Sequence, residues 1–200
     1  VNLAVDTVAG IDEAGRGPLA GPVVAAVVLL ACGQTIDGVR DSKQLTAAQR
    51  VAAAARIRAE SLAWSLGEAS REEIDELNIL QATLLAMQRA FAGLGRQPRS
   101  VEVDGNRAPR LSGYTGSLET VVGGDRLRPA IAAASILAKV RRDGVMERLH
   151  VDYPGYGFDQ HKGYPTPAHR AALARLGPCP AHRRSFSPVR AAMAGREVPA

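Results

Sequence analysis

The chain has 200 residues, 46% hydrophobic and 22% charged, with a formal net charge of +5. These values exclude a disordered or fibrous chain and suffice for one sizeable core. Only 4% of the residues are aromatic, so that core must be built from Ala, Val, Leu and Ile.

Val8 to Asp12 reads as a strand and Val23 to Leu30 as a second. The second run is Val/Ala-rich without alternation, which suits a strand buried on both faces. The uncharged stretch Gly17–Ile36 contains Pro18, Gly21 and Pro22, and its apolar part, Val23–Cys32, is too short to cross a bilayer. The start carries Asp6 and lacks a basic leader, so no signal peptide is expected. The two cysteines, Cys32 and Cys179, have no Cys-x-x-Cys spacing and fit a reducing cytoplasm. The expectation is a soluble, cytoplasmic protein. Gly15-x-Gly17 is not a dinucleotide fingerprint, because a β-rich run and not a helix follows it.

Thr46-x-x-Gln49 is a capping box that opens an Ala-rich helix to Glu60. Leu62–Ala69 is a candidate third strand. Ser70-x-x-Glu73 opens a helical stretch to about Leu94, with Leu77, Leu80, Leu84, Met87 and Phe91 at core spacing. Ser100–Asp104 alternates as a strand and ends in the turn signal Asp104-Gly105-Asn106. Residues 107–117 read as loop, and Glu119–Gly123 as a further strand. Pro129 opens a long helix to about His150, whose apolar stripe through Ile136 reaches Asp143. The bland account of that acid is an i,i+4 pair with Lys139. Residues 153–165 read as loop. Thr166-Pro167 starts a helix to about Leu176, and Ser187-Pro188 repeats the device for a last short one.

Four acids stand out: Asp12, Glu13, Asp104 and Asp143. Three lie at strand ends and one on a helix face. Adjacent carboxylates at a buried strand end repel and lose solvation unless a cation compensates. An all-oxygen set suits Mg²⁺ or Mn²⁺, and two such ions are a standard device for phosphoryl displacement. Asp41, Asp125 and Asp152 compete for a place but resemble turn or cap acids. Cys179 with His182 would be half a zinc site, with no second pair nearby. The residues 161–200 hold seven Lys/Arg and one acid, while the remainder is nearly neutral, so a polyanion such as nucleic acid is the expected partner.

Five motifs, Gly10-Ile-Asp-Glu-Ala-Gly-Arg-Gly-Pro18, Asp41-Ser-Lys-Gln-Leu45, Val103-Asp-Gly-Asn106, Ala132-Ala-Ala-Ser-Ile-Leu-Ala-Lys-Val-Arg-Arg-Asp143 and His161-Lys-Gly-Tyr-Pro-Thr166, occur in this order. Together they resemble the bacterial ribonuclease HII family, type 2 ribonuclease H, from about residue 8 to 190. The resemblance implies an α/β, ribonuclease H-like fold: a mixed central β-sheet flanked by helices, with a helical C-terminal extension. We expect a catalytic domain over 1–153 and a basic helical part over 154–200 packed on it as a single structural unit.

The resemblance further implies cleavage of the RNA strand of RNA–DNA hybrids. It also implies incision 5′ of ribonucleotides embedded in duplex DNA, leaving 5′-phosphate and 3′-hydroxyl ends. Asp12, Glu13, Asp104 and Asp143 would then be the catalytic, metal-binding acids, with Mn²⁺ or Mg²⁺ as cofactor. Gly15, Arg16 and Gly17 would recognise the ribose 2′-hydroxyl through backbone groups, together with the adjacent phosphate. Tyr164 would pack on the following sugar. Lys43 and Lys139 are expected phosphate contacts, and Arg16 and Lys162 plausible ones. His161, His169 and His182 receive no role. The chemistry agrees: the 2′-hydroxyl distinguishes RNA from DNA, and glycines permit close backbone approach to it. A non-catalytic nucleic-acid binder would leave the acids unexplained, and an enzyme for a small phosphate ester is the other alternative. No heptad or exposed apolar stretch calls for a second copy, so a monomer is expected.

Overall fold

The computed structural model describes residues 6–39 and 42–195, without the side chain of Lys43. Asp41 and the Lys43 side chain therefore lie outside the described residues. Five strands form one sheet: β1 (Thr7–Ala14), β2 (Val23–Ala31), β3 (Ala63–Ala69), β4 (Ser100–Asp104) and β5 (Ser117–Val121), in the order β3-β2-β1-β4-β5. β1 runs antiparallel to β2, from Thr7 opposite Ala31 to Ala14 opposite Val24. It runs parallel to β4, with Ile11 opposite Val103, and β4 runs parallel to β5. The sheet is mixed, as expected.

The helices are α1 (Ala47–Glu60), α2 (Arg71–Leu77), α3 (Ile79–Ala92), α4 (Gly124–Leu127), α5 (Pro129–Asp152), α6 (Phe158–His161), α7 (Pro167–Leu176) and α8 (Ser187–Met193). Single 3₁₀ turns occur at Ser42–Gln44 and Pro154–Tyr156. Both capping boxes are formed, Thr46 with Gln49 and Ser70 with Glu73.

Four details differ from the sequence reading. The stretch expected from Ser70 to Leu94 breaks at Asn78, where φ is +70°. The Asn78 Oδ1 there accepts from the Leu80 and Gln81 amides at 3.0 and 3.2 Å and starts α3 afresh. Ser187 is the first residue of α8 and not its cap, which is Phe186 without a side-chain bond. The last strand begins at Ser117, and the one-turn helix α4 follows it. The segment 153–165, expected as loop, contains a 3₁₀ turn and α6.

The chain divides into two compact units. The first takes in residues up to Ala14, Val24–Glu68 and Leu84–Val140. Its core joins Val28 and Leu30 of β2 to Ala53, Ala54 and Ile57 of α1 and to Ala130, Ala133, Ala134, Ile136 and Leu137 of α5. Small side chains let helix and sheet approach closely. At Gly10 the approach is so close that an added Cβ would run into the Ala130–Ile131 peptide. The second unit takes in Gly15–Val23, Ala69–Thr83 and the residues from Arg141 on. Its clusters are Ala20, Met146, Tyr156, Phe158, Ala172 and Ala181, and Leu19 with Leu173 and Val189. Among the described residues no helix is long and apolar enough to cross a membrane. The apolar run Val23–Leu30 is the buried strand β2.

Candidate active site

The register of β1 and β4 sets the first group of acids. Parallel strands end at the same edge of a sheet. With Ile11 opposite Val103 as the last parallel pair, the next residues, Asp12 and Asp104, follow where that ladder ends, Asp104 as the last residue of β4 and Asp12 two residues before the end of β1. Asp12 is 5% exposed, and its Oδ1 accepts the Glu13 amide at 2.7 Å. Its carboxyl is raised well above the usual range, by burial first, then by the charges of Glu13 and Asp104. Ser135 of α5 hydrogen-bonds to Asp12 and works the other way. The Ser135 hydroxyl is also 3.0 Å from the buried Ser42 hydroxyl, which ties the 42–45 motif beneath the acids. Asp104 Oδ1 accepts the Gly124 amide at 2.8 Å, at the start of α4. Lys139 sits half-buried on α5, one turn beyond Ser135.

A buried carboxylate crowded by two others is short of positive charge, and its donors are all oxygen. That fits a hard divalent cation. Among the described residues no three His, Cys, Asp or Glu side chains already converge as a metal cage. Asp12, Glu13 and Asp104 are near one another without already forming such a cage.

The second unit contains Gly15, Arg16, Gly17, Asp143 and Tyr164. Gly15 has φ +101°, and a Cβ there would strike Arg142 Nε. Gly17 lies under the Tyr164 ring: a Cβ on it would stand 3.5 Å from Tyr164 Cε1. Tyr164 is 44% exposed, so its ring is presented beside the glycine and not stored in the core. Asp143 is half-buried on α5, directly after Arg142. Lys162, a plausible phosphate contact from sequence, pairs with Glu147 at 3.0 Å.

Two buried residues that support the backbone of this region were missed by the sequence reading. Arg142 and Arg183 look like ordinary members of basic runs, yet they are 1% and 0% exposed. Arg142 donates to the Pro22, Lys162 and Ala20 carbonyls at 3.2, 2.9 and 3.1 Å. Arg183 donates to Gly21 O at 2.9 Å, Arg16 O at 2.9 Å, Gly15 O at 2.6 Å and Pro22 O at 3.1 Å. Burial lowers the pKa of Arg142 to about 10 and, with Arg142 nearby, that of Arg183 to about 9, which leaves both charged at neutral pH. Asp75 accepts the Arg184 amide and the Ser185 amide and hydroxyl at 2.9, 2.8 and 2.6 Å, fixing the segment that follows Arg183. The sequence signal was slight: each is one of two adjacent arginines.

The histidines without an expected role form a relay under Tyr164. His169 Nδ1 is 2.9 Å from Tyr164 O, and its Nε2 is 3.1 Å from His182 Nε2. His182 Nδ1 accepts the Cys179 amide at 3.1 Å and lies 3.2 Å from its Sγ. His161 stacks on His169 at 4.4 Å, and its Nδ1 accepts the Gly163 amide at 3.1 Å. Cys179 and His182 are thus hydrogen-bonding partners.

A family model described as Ribonuclease HII matches residues 9–189. Ribonuclease HII of Bordetella pertussis is 59% identical over 184 residues, covering 92% of this chain and 90% of its own. Among solved structures, ribonuclease H2 from Pyrococcus horikoshii OT3 superposes with a TM-score of 0.78 at 29% identity, over 93% of this chain and 96% of its own. Bst-RNase HIII in complex with Mn²⁺ shares the fold, with a TM-score of 0.75 at 19% identity over 96% of this chain and 71% of its own. The match spans the strand-end acids, the glycine loop and the tyrosine segment alike, and this chain belongs to the ribonuclease HII family.

Proposed function

We infer that Asp12, Glu13 and Asp104 hold the divalent metal with which this chain hydrolyses a phosphodiester, and that Asp143 is a further ligand on the strength of the family motif. As a ribonuclease HII the chain is a metal-dependent endonuclease that cleaves RNA in RNA–DNA hybrids and incises at embedded ribonucleotides. The observation that carries the residue assignment is the buried Asp12 carboxyl, raised by burial and by two neighbouring carboxylates. Mg²⁺ or Mn²⁺, bound as a pair, would supply an activated water and neutralise charge on the leaving oxygen.

The rest is work for the chain's own groups. Asp12 is held by the Glu13 amide and Ser135, so its free lone pairs keep one direction. Asp104 is held likewise by the Gly124 amide. Gly15, Arg16 and Gly17 offer backbone to the ribose 2′-hydroxyl, and Tyr164 offers its ring to the next sugar. Arg16, Lys43 and Lys139 contact phosphates. Attack on the 5′ side of the ribonucleotide leaves a 5′-phosphate and a 3′-hydroxyl, and a monomer suffices. The test is an end-labelled DNA duplex with one ribonucleotide, incubated with Mg²⁺, Mn²⁺ or EDTA, beside Asp12→Asn and Asp104→Asn. Metal-dependent incision lost in both folded variants is expected. Wild-type rates in either variant would remove that residue from the site.

A further inference from the structure

We propose that Arg183 is a positioning residue that turns the peptides of Gly15-Arg16-Gly17 so that their N–H groups face the substrate. This rests on the reading of that loop as the ribose sensor. The described chain has no cis peptide bond. In a trans peptide the carbonyl of one residue and the N–H of the next point in opposite directions. The Gly15 and Arg16 carbonyls both accept from Arg183, at 2.6 and 2.9 Å. The N–H groups of Arg16 and Gly17 must therefore point away from that guanidinium. Arg183 is 0% exposed, whereas Arg16 and Gly17 are exposed, so away from Arg183 is toward the surface. Tyr164 stands on that exposed side, beside Gly17.

The charge adds to the orientation. A cation drawing on a carbonyl oxygen polarises the whole peptide and makes its N–H a stronger donor. It also places positive charge behind a loop that would meet a phosphate. The planar fork of arginine is required, because it reaches four carbonyls from one side chain through Nε, Nη1 and Nη2. A lysine ammonium keeps the charge but cannot span those acceptors. Asp75, by fixing Arg184 and Ser185, holds the guanidinium in register.

The experiment measures selectivity and not rate. Fluorescence anisotropy in EDTA gives the Kd for an all-DNA duplex and for the same duplex with one ribonucleotide. Their ratio is independent of the fraction of protein that is folded. Wild type is expected to prefer the ribonucleotide. Arg183→Lys is expected to bring the ratio toward one, by up to about tenfold, the value of one hydrogen bond. Ile57→Ala, a cavity in the first unit's core, should lower the melting temperature and leave the ratio alone. A folded Arg183→Lys with the wild-type ratio overturns the proposal. A wild-type ratio of one overturns the ribose reading itself, and this inference with it. Should Arg183→Lys not fold, Ser185→Ala, which removes one bond to Asp75, takes its place. It should lower the ratio less, and an unchanged ratio there also overturns the proposal.

Discussion

The histidine relay makes stability depend on pH, and the sign follows from its hydrogen bonds. Tyr164 O only accepts, so His169 Nδ1 carries a proton and its Nε2 does not. His182 Nε2 must then donate to His169 Nε2, while His182 Nδ1 accepts from the Cys179 amide. Both rings are locked neutral, because a further proton on either would set donor against donor. Burial, above all, lowers each pKa to about 4 from the ordinary histidine value of 6.5. A depressed histidine pKa means that the unfolded chain binds more protons between those two values. The contribution to stability is complete above about pH 6.5 and is lost as pH falls toward about pH 4. For one such group, moving from about pH 7.5 to about pH 5 costs about 2 kcal/mol. In a domain of this size that is a fall in Tm of about 4–8 °C, and up to twice that if both rings titrate independently. Thermal melts in EDTA at the two pH values, for wild type and for His169→Gln/His182→Gln, provide the test. Asp12, whose raised pKa acts in the opposite direction, is common to both proteins and drops out of the difference. Equal acid sensitivity in wild type and double variant would refute the relay as the cause.

Three further outcomes are expected. Asp12→Asn in EDTA should raise stability by about 1 kcal/mol at neutral pH, because it removes a buried charge crowded by like charges; a lower urea midpoint would contradict that. Gly10→Ala should cost about 3 kcal/mol or more in urea unfolding, since the new methyl meets backbone and not a movable side chain. Tyr164→Ala should change stability by less than about 1 kcal/mol, the ring being 44% exposed, yet slow cleavage at an embedded ribonucleotide at least about tenfold. A loss of rate no greater than the loss of folded protein would make Tyr164 a structural residue.

Much of the fold was legible because its signals are local. The β2 run Val23–Ala31 is apolar throughout, and the capping boxes at Thr46 and Ser70 carry their own partners three residues on. The break at Asn78 was hidden because the leucines around it keep helical spacing, while a single Asn side chain took over the cap. Ser187 failed as a cap for the opposite reason, its motif being present and its side-chain bond not formed. Ser42 and Ser135 could not be paired from sequence, since they are 93 residues apart.

By itself, the sequence determined the chemistry on offer: two adjacent acids, a third at a later strand end and a fourth on a helix face, a Gly-Arg-Gly loop and a tyrosine motif, in the order of one family. It marked most of the strands and helices through apolar runs and turn residues whose effects are local, while the mixed sheet was implied by the family resemblance. Only the tertiary structure decided what lies beside what. Parallel pairing of β1 with β4 makes Asp12 a neighbour of Asp104, and that proximity, with burial, raises the Asp12 pKa. Burial also turned Arg142 and Arg183 from apparent surface charge into supports for backbone carbonyls, and His169 and His182 from members of a basic tail into a neutral relay. Charge and hydrogen bonding act through distance and solvent exposure, and neither is a property of position along the chain.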